Sequence, residues 1–354
     1  MPLVPLVSAI LISFAVSLVM VPVIIRTGYR FDILDHPGNH KRHRTPTPLL
    51  GGVALFVATW VTVGISYLLF TDLYSELPGS PGFIFLGALI ILLVGLSDDL
   101  KPLSAWIKLT AQVAAGLVLY LGGLKVELLT IPFRSIDIGA FSLVITILWV
   151  VVLTNAINLI DGLDGLASGV SLIAAVYLVI IGQLYQVGAV LVYMLVLVGF
   201  LILFTYYNRF PARVFLGDSG SMQIGFYFAV FSLMVPLKSF TVTALYVPLL
   251  ALGVPITEVM TSSVRRLAKG KSIIRADRRH LFHYLSLMGF SRRQVVATFY
   301  LLGLVYGLFA LAMFFWNRLI VFGFLLLFMV VISVVFFILL TKFSLRKRLN
   351  GRRD

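Results

Sequence analysis

Residues 81–99 read PGFIFLGALIILLVGLSDD, an apolar run that ends in two adjacent aspartates. A helix of about 20 apolar residues crosses the roughly 30 Å hydrocarbon core of a bilayer, so this run predicts a transmembrane helix with two carboxylates at one end. The whole chain has the same character, being 60% hydrophobic and only 12% charged, with a mean hydropathy of +1.06. Soluble domains are far less apolar, and the sequence therefore predicts an all-α, polytopic membrane protein.

Ten further stretches are apolar and long enough to span as helices, which gives about eleven predicted transmembrane helices. We find no internal repeat and no low-complexity linker, so we expect residues 1–354 to form a single membrane domain. The first stretch has no preceding basic residue and no small-residue cleavage site, which predicts a retained helix rather than a signal peptide. The predicted spans are 3–25, 48–70, 81–97, 105–124, 139–158, 168–185, 187–207, 218–237, 240–262, 294–315 and 319–341.

Basic residues are distributed very unequally over the connections between these spans. Of the 28 Lys and Arg residues, 24 fall on one side of the membrane if the spans alternate, and the other four are Lys125, Arg134, Lys238 and Arg318. Because cytoplasmic loops carry the excess of Lys and Arg, we expect the N-terminus outside and the C-terminus in the cytoplasm. Orientation and attraction to anionic membrane lipids explain the net charge of +14, which therefore does not indicate nucleic-acid binding.

Five polar segments fall on the predicted cytoplasmic side, which holds nine of the 14 acidic residues and all five histidines. Carboxylates gathered from distant parts of a chain onto one face are typical of a metal and phosphate site. The chain has no cysteine, which excludes disulfides and thiolate metal ligands. The five segments are 35–52, 97–99, 158–165, 215–220 and 277–283.

The pair Asp98 and Asp99 ends the third span. Two neighbouring carboxylates repel each other, and near low dielectric one is driven toward protonation unless a cation lies close by. Such a group can serve as a proton acceptor. The alternative is a solvated helix end, although acidic residues at a helix C-terminus interact unfavourably with the helix dipole.

Asn158, Asp161 and Asp164 are spaced so that they share one face if the fifth helix continues through them. Their oxygen ligands suit Mg²⁺ or Mn²⁺ better than zinc. A turn rich in Asp, Asn and Gly is the alternative. The segment has two acids and no basic residue, which favours a bound cation.

Asp218 precedes a Ser, a Gly and an apolar run, which is an ordinary helix N-cap signal. The same helix start can also receive an anion, and its Asp can bind a metal. The last connection, 263–293, contains nine Lys or Arg and two His, and an amphipathic membrane-surface segment is the alternative there. Because Arg and protonated His donate charge-assisted hydrogen bonds to phosphate oxygens, we expect a diphosphate to be bound by Arg278, Arg279, His280 and His283.

Together and in this order, the motifs resemble the polyprenyl-phosphate N-acetylhexosamine-1-phosphate transferases, the WecA/TagO/MraY family, and are most similar to its WecA/TagO branch. The resemblance covers essentially the whole chain. It includes a D-x-P-x-x-x-K-x-H segment from Asp35, the D-D pair, an N-x-x-D-G-x-D-G-L loop, an F-x-G-D-x-G segment and the last His-containing loop. One departure is Phe282, which stands where the branch has the middle His of an H-x-H-H motif.

The resemblance implies transfer of N-acetylhexosamine-1-phosphate from a UDP-sugar to undecaprenyl phosphate, with release of UMP, on the cytoplasmic face of the cell membrane. Mg²⁺ is the implied cofactor, with Mn²⁺ as a substitute. UDP-N-acetylglucosamine is favoured as donor over other UDP-N-acetylhexosamines and over the muramyl-pentapeptide donor. The cell-envelope pathway and the formation of a homodimer stay open.

The resemblance also implies roles for particular residues. Asp98 matches the base that deprotonates or positions the lipid phosphate, and Asp99 matches its partner. Asn158 and Asp218 match Mg²⁺ ligands. The remaining residues match substrate-binding positions. Lys108 matches a phosphate-binding lysine, Asp161 and Asp164 match positions that line the nucleotide and metal site, and Phe215 matches the ring near the uracil. Substrate binding is also expected of Lys41, Arg278, Arg279, His280 and His283.

Two other classes of protein fit these motifs less well. Acidic residues within the membrane are typical of secondary transporters. Transporters, however, place polar groups near the bilayer midplane, whereas nearly all of the polar groups in this chain lie at one edge. Glu258, inside the ninth predicted span, is the main exception. A scaffolding protein gives no reason to collect nine acids and every histidine on one side.

Overall fold

The computed structural model describes residues 3–37, 45–71, 79–131, 134–184, 191–234, 253–255, 257 and 281–350, and these form a bundle of long helices. Eight helices in the described residues are long and apolar enough to cross a membrane. The prediction of a helical, polytopic membrane protein is therefore confirmed.

The elements of the described residues are helices, apart from four short strands and one 3₁₀ turn. In chain order they are α1 (Leu3–Arg30), β1 (Leu34–Asp35), β2 (Thr47–Pro48), α2 (Gly51–Leu69), α3 (Pro81–Leu100), α4 (Ala105–Leu121), β3 (Leu128–Ile131), β4 (Arg134–Asp137), a 3₁₀ turn (Gly139–Phe141), α5 (Ser142–Ile160), α6 (Leu166–Leu184), α7 (Leu191–Asn208), α8 (Gly217–Met234), α9 (Leu281–Leu287), α10 (Arg292–Phe315) and α11 (Arg318–Asn350).

Ten of the predicted spans coincide with helices, namely α1 to α8, α10 and α11. The ninth, 240–262, lies almost entirely outside the described residues, as does Glu258. Helix α4 is apolar but has only 17 residues, and α8 begins with a polar turn, so neither is among the eight helices that qualify by length and hydropathy.

Two small antiparallel pairs of strands depart from the all-α expectation. β1 pairs with β2 through Leu34 with Pro48 and Asp35 with Thr47. β3 pairs with β4 over four residues, with Leu128 opposite Asp137. Strands of two to four residues are too short to show an alternating pattern in the sequence, and the fold remains helical.

Helix α8 lies at the centre of the bundle. Every residue from Ser219 to Met234 is buried, and the helix packs against α2, α3, α5 and α7. Gln223 Nε2 donates to the carbonyl oxygens of Gly52 and Ser219, each at 3.0 Å. Lipid offers no hydrogen-bond partners, so this amide N–H₂ group is satisfied by backbone carbonyl oxygens of the protein.

Two glycines allow the neighbouring helices to approach the start of α8. A Cβ atom at Gly52 in α2, or at Gly95 in α3, would collide with Ser219. Small residues at such contacts let helix backbones pack closely in membranes. This packing brings the end of α3 and the start of α8 together.

Candidate active site

Four helix termini meet at one end of the bundle and carry the predicted site residues. They are the last turn of α3 with Asp98 and Asp99, the first turn of α4 with Lys108, the last turn of α5 with Asn158, and the first turn of α8 with Asp218. Side-chain hydrogen bonds here join residues that are up to 120 positions apart in the sequence.

Lys108 bridges two carboxylates in this cluster. Its Nζ lies 2.7 Å from Asp218 Oδ2 and 3.2 Å from Asp98 Oδ2. The other oxygen of Asp98 accepts a hydrogen bond from the backbone N–H of Leu103 at 2.7 Å. The short turn between α3 and α4 therefore fixes Asp98, and one ammonium group links the predicted base to a predicted metal ligand.

Asp99 caps the central helix from outside. Its Oδ1 accepts the backbone N–H of Asp218 at 2.7 Å, and its Oδ2 accepts the N–H and the hydroxyl of Ser219 at 3.2 and 2.6 Å. Free N–H groups at a helix start attract negative charge. The alternative that Asp218 itself is the N-cap is wrong, because a carboxylate from α3 takes that position and leaves the Asp218 side chain to Lys108.

Asn158 faces the first turns of α8. Its Nδ2 donates to Ser221 Oγ at 3.0 Å, and its side chain also interacts with that of Asp218. Within the part of the chain that the structure describes, Asn158 Oδ1 accepts no hydrogen bond. This oxygen is the atom that an amide side chain offers to a cation.

The expectation that Asn158, Asp161 and Asp164 share a helical face is wrong. Helix α5 ends at Ile160, and Asp161 is its C-cap with φ −80° and ψ 51°. Gly165 has φ +78°, a conformation that glycine adopts without strain and that continues no right-handed helix. Asp164 consequently points elsewhere, and its Oδ2 accepts the backbone N–H of Ala212 at 3.1 Å.

The loop of residues 161–165 is held by α9 and α10. The ring of Phe282, a residue only 2% exposed, lies against Gly162 so closely that a Cβ there would collide with it. Tyr300 Oη donates to the carbonyl oxygen of Gly165 at 2.6 Å. The phenyl ring that departs from the family pattern therefore packs on this loop.

Asn208, at the end of α7, is a site residue that the sequence analysis missed. The residue is buried, and its Oδ1 accepts the N–H of Gly165 and the hydroxyl of Ser168 at 3.1 and 2.9 Å. Its Nδ2 donates to the carbonyl oxygen of Val214 at 2.9 Å. One amide thus ties the 161–165 loop to residues 209–216. In the sequence Asn208 is an ordinary polar residue beside Arg209 at the end of a span, which does not signal this role.

The cluster has more negative than positive charge. Lys108 pairs with Asp98 and Asp218, while Asp99 and Asp161 lie close to Asp218 and add two further carboxyl groups. Part of the surface of Asp161 is exposed, but removal from bulk water, followed by the negative charges of Asp218, Asp99 and Asp164, raises the pKa of Asp161 to about 8. A cation in this region would relieve that repulsion.

The residues present fit a magnesium site completed by substrate. In the described ranges no three His, Cys, Asp or Glu side chains are close enough to hold a metal by themselves. Mg²⁺ is usually bound through one or two carboxylates together with substrate phosphates and water. The carboxylate of Asp218 and the amide oxygen of Asn158 provide that kind of oxygen donor set.

Two cavities adjoin the 161–165 loop. The arginine–threonine cavity, about 580 Å³, is lined by Thr45, Thr47, Asp164, Phe215 and other residues. The arginine–tyrosine cavity, about 610 Å³, is lined by Arg209, Arg213, Tyr206, Tyr300 and others. Asp164, Phe210, Pro211, Arg292 and Arg293 line both.

Comparison with known proteins decides the family. The sequence model of Glycosyl transferase family 4 matches residues 82–236, which include every residue of the carboxylate cluster. The chain is also 32% identical over 335 residues to the probable undecaprenyl-phosphate N-acetylglucosaminyl 1-phosphate transferase of Bacillus subtilis, with 93% of this chain and 92% of that protein covered. The chain belongs to glycosyl transferase family 4. The resemblance inferred from the sequence motifs is thereby confirmed, and glycosyl transferase family 4 implies a metal-dependent transferase.

Other members of glycosyl transferase family 4 are similar over most of their length. The decaprenyl-phosphate N-acetylglucosaminephosphotransferase of Mycobacterium leprae is 34% identical over 324 residues, covering 84% of this chain and 80% of that protein. The phospho-N-acetylmuramoyl-pentapeptide-transferase of Listeria welshimeri is 30% identical over 328 residues, covering 86% and 97%.

Several predicted substrate-binding residues of this glycosyl transferase family 4 member lie outside the described residues. They are Lys41, Arg278, Arg279 and His280. His283 lies in α9, but its side chain is not among those described. Of the other predicted residues, the structure groups Asp98, Asp99, Lys108, Asn158 and Asp218 directly, places Asp161 beside them, and places Asp164 and Phe215 at the arginine–threonine cavity.

Proposed function

We propose that this protein transfers N-acetylglucosamine-1-phosphate from UDP-N-acetylglucosamine to undecaprenyl phosphate, releases UMP and so begins the assembly of a cell-envelope glycan. The observation that carries the proposal is the linked set of Asp98, Lys108 and Asp218 at one end of a membrane bundle, inside the region matched by the family. Two anionic substrates, one of them held in the bilayer, require such a site at a membrane edge.

The donor assignment rests on the relatives and on the cavity beside the cluster. The relatives from Bacillus subtilis and Mycobacterium leprae are named for N-acetylglucosamine. Phe215 lines the arginine–threonine cavity, while its backbone is fixed between the carbonyl oxygen of Pro48 and the N–H of Gly51. An aromatic ring on a fixed backbone is suited to stack on a uracil.

In the proposed reaction, an oxygen of the lipid phosphate attacks the phosphorus that carries the sugar, and the bond from that phosphorus to the UMP oxygen breaks. Mg²⁺, or Mn²⁺ in its place, would be held by Asp218 and Asn158 and would supply charge neutralisation on the diphosphate and on the departing UMP. Lys108 supplies a further positive charge between the two carboxylates. Because it is already held by both, it needs little rearrangement to meet a phosphate oxygen.

Asp98 and Asp99 have different proposed tasks. Asp98, fixed by Leu103 and Lys108, positions the lipid phosphate and accepts a proton from it where one remains. The second pKa of a phosphate monoester is about 6, so positioning is the larger task near neutral pH. Asp99 acts through α8, because it fixes the helix start that carries Asp218.

We further propose that the protein has eleven spans and that the active site faces the cytoplasm. The cysteine-free chain makes this testable with single cysteines at two exposed positions, Lys101 in the turn beside the site and Ala140 before α5. Lys101→Cys should be shielded from a membrane-impermeant thiol reagent in intact cells, whereas Ala140→Cys should be labelled. Both should react after the cells are permeabilised, and the reverse pattern in intact cells would place the site outside.

The raised pKa of Asp161 predicts how magnesium binding depends on pH. Below about pH 8 this carboxyl is mainly protonated, and a cation that favours the ionised form must displace the proton. The apparent affinity for Mg²⁺ should therefore rise with pH, by up to about tenfold per unit below pH 8, and level off above it. Calorimetric titration with Mg²⁺ in the presence of UDP-N-acetylglucosamine measures this without interference from the lipid phosphate. Asp161→Asn should flatten the slope just below pH 8, and Glu127→Gln should keep it; an unchanged slope in Asp161→Asn over this range would show that another group titrates.

The proposed function itself is tested by incubating purified protein with undecaprenyl phosphate, Mg²⁺ and one UDP-sugar at a time. UMP should be released with UDP-N-acetylglucosamine, and a lipid carrying sugar and diphosphate should form in equal amount. Release of UMP only with another UDP-sugar would correct the donor while leaving the reaction class intact. The absence of UMP with every donor would reject the proposal.

A further inference from the structure

The arginine–tyrosine cavity lies beside the carboxylate cluster but is separate from it. It is formed between the end of α7, the start of α10 and the 161–165 loop. None of Asp98, Asp99, Lys108, Asn158 and Asp218 lines it. Four arginines do, namely Arg209, Arg213, Arg292 and Arg293.

Aromatic rings hold three of these arginines without neutralising them. The guanidinium carbon of Arg209 lies 4.4 Å from the ring centroid of Tyr206, and that of Arg292 lies 4.9 Å from the centroid of Phe210. Arg213 lies 6.0 Å from the centroid of Tyr207. Such contacts orient a cation and leave its charge in place.

Little negative charge balances this set. Within the described residues, Arg209, Arg213 and Arg293 form no ion pair with a carboxylate. The carboxylate that lines the cavity, Asp164, already accepts a hydrogen bond from the backbone of Ala212. The cavity therefore has a clear excess of positive charge and is suited to an anion.

An apolar stripe leads along α10 to the cavity. Its exposed face runs from Leu304 through Leu301 and Ala297 to Arg293. On α7, residues 191–201 are buried, and only the last turns are exposed beside the cavity, through Ile202 and Tyr206 at 45% and 51%. In a membrane-spanning bundle such exposed apolar side chains contact lipid, so the basic cavity lies at the end of the lipid-facing surface of α10.

We propose that the arginine–tyrosine cavity binds the phosphate headgroup of an anionic glycerophospholipid from the surrounding membrane. The guanidinium groups of Arg209 and Arg213 donate charge-assisted hydrogen bonds to the headgroup phosphate, and the acyl chains lie along the exposed stripe of α10, beside Ile202 of α7. Tyr206 and Phe210 flank the headgroup at the depth where aromatic residues concentrate in membrane proteins. The combination of basic head and apolar path fits a lipid better than a free anion.

Occupancy of the cavity would also reach the 161–165 loop. Tyr300 lines the cavity and donates to the carbonyl oxygen of Gly165, and Asp164 also lines it. A bound headgroup restricts the movement of both side chains. Lipid binding is therefore expected to stabilise the loop next to the carboxylate cluster.

The test uses the full-length protein in a neutral detergent with phosphatidylglycerol as probe, followed by native mass spectrometry. Arg209→Gln/Arg213→Gln removes two guanidinium groups that line this cavity and do not line the arginine–threonine cavity. We expect its affinity for phosphatidylglycerol to fall about tenfold or more. The matched control, Arg26→Gln/Arg30→Gln, removes the same charge at the end of α1 and should change the affinity less than about twofold.

The competing explanations give different results. An equal loss of affinity in both double variants would show bulk electrostatic attraction and overturn the proposal. Displacement of the lipid by UDP, together with loss of UDP binding in Arg209→Gln/Arg213→Gln, would assign the cavity to the sugar donor instead. Displacement by millimolar inorganic phosphate would make it a free-anion site.

Photocrosslinking keeps the proposal testable even if the double variant does not fold. The unmodified protein in vesicles that contain a photoactivatable phosphatidylglycerol should give crosslinks in 202–210 and 293–304. Crosslinks that avoid both segments would overturn the assignment. The result does not depend on catalytic activity. It therefore tests the lipid site independently of the proposed transferase function.

Discussion

Asp218→Asn should reduce turnover by at least about 10³-fold while the protein still inserts and purifies normally. The carboxylate of Asp218 lies 2.7 Å from the Lys108 ammonium and is the proposed magnesium ligand. Its replacement therefore removes a metal ligand and, at the same time, one of the two ion pairs of Lys108. The asparagine is the same size, which leaves the packing at the start of α8 unchanged. UMP release measures turnover, and calorimetry with UDP-N-acetylglucosamine should show that donor binding no longer responds to Mg²⁺.

A matched control comes from a lysine–carboxylate pair elsewhere in the chain. Lys125 and Glu127 are 3.1 Å apart, and both are exposed. Exposed ion pairs contribute little, so Glu127→Gln should retain activity and magnesium dependence. Full activity of Asp218→Asn in the presence of a chelator would refute the metal assignment.

Asp98→Asn should lower turnover by about 10²- to 10⁴-fold with little change in the affinity for UDP-N-acetylglucosamine. The asparagine oxygen can still accept the N–H of Leu103, but it no longer pairs with Lys108 as a charge. If Asp98 mainly positions the lipid phosphate, raising the pH from about 6 to 8 should restore little activity, because the phosphate dianion from solution does not restore the geometry. Strong recovery over that range would instead identify Asp98 as the base.

Asp99→Asn provides the comparison for this second experiment. Asp99 contacts α8 rather than Lys108, so its replacement should weaken both turnover and magnesium-dependent donor binding. If Asp98→Asn and Asp99→Asn changed the same kinetic constants to the same extent, the separate tasks assigned to them would be wrong. An unaffected rate in Asp98→Asn at every pH would remove Asp98 from the reaction.

Much of the helical framework was predictable because apolar runs of span length need no long-range information. The position of Asp98 and Asp99 at a helix end followed from the same pattern. The contact of Asp99 with the backbone N–H of Asp218 was not predictable, since it joins residues 119 positions apart. The predicted fifth span, 139–158, ends within two residues of Ile160, but spacing alone did not show that Asn158, Asp161 and Asp164 share no helical face, because it does not tell whether a helix continues through a segment containing Gly162 and Gly165.

The arginine–tyrosine cavity was beyond sequence reasoning for a related reason. Arg209 and Arg213 were counted with the basic residues that orient spans, and Arg292 and Arg293 with the last connection. Their grouping depends on how α7 and α10 are placed by Asn208 and Tyr300, whose polar atoms contact the 161–165 loop. Charge counts identify a side of the membrane, whereas a cavity requires the packing of distant helices.

The capping of α8 by Asp99 bears on how the chain is assembled during synthesis. Helix α8 begins with a polar turn, and its Gln223 and Ser219 find partners in α2 and α3, which are made earlier. Domains and segments emerge from the ribosome in N-terminal to C-terminal order, so these partners are present when α8 enters the bilayer. Membrane integration of α8 should therefore depend on its predecessors, and a chain lacking α3 should leave this helix inefficiently inserted.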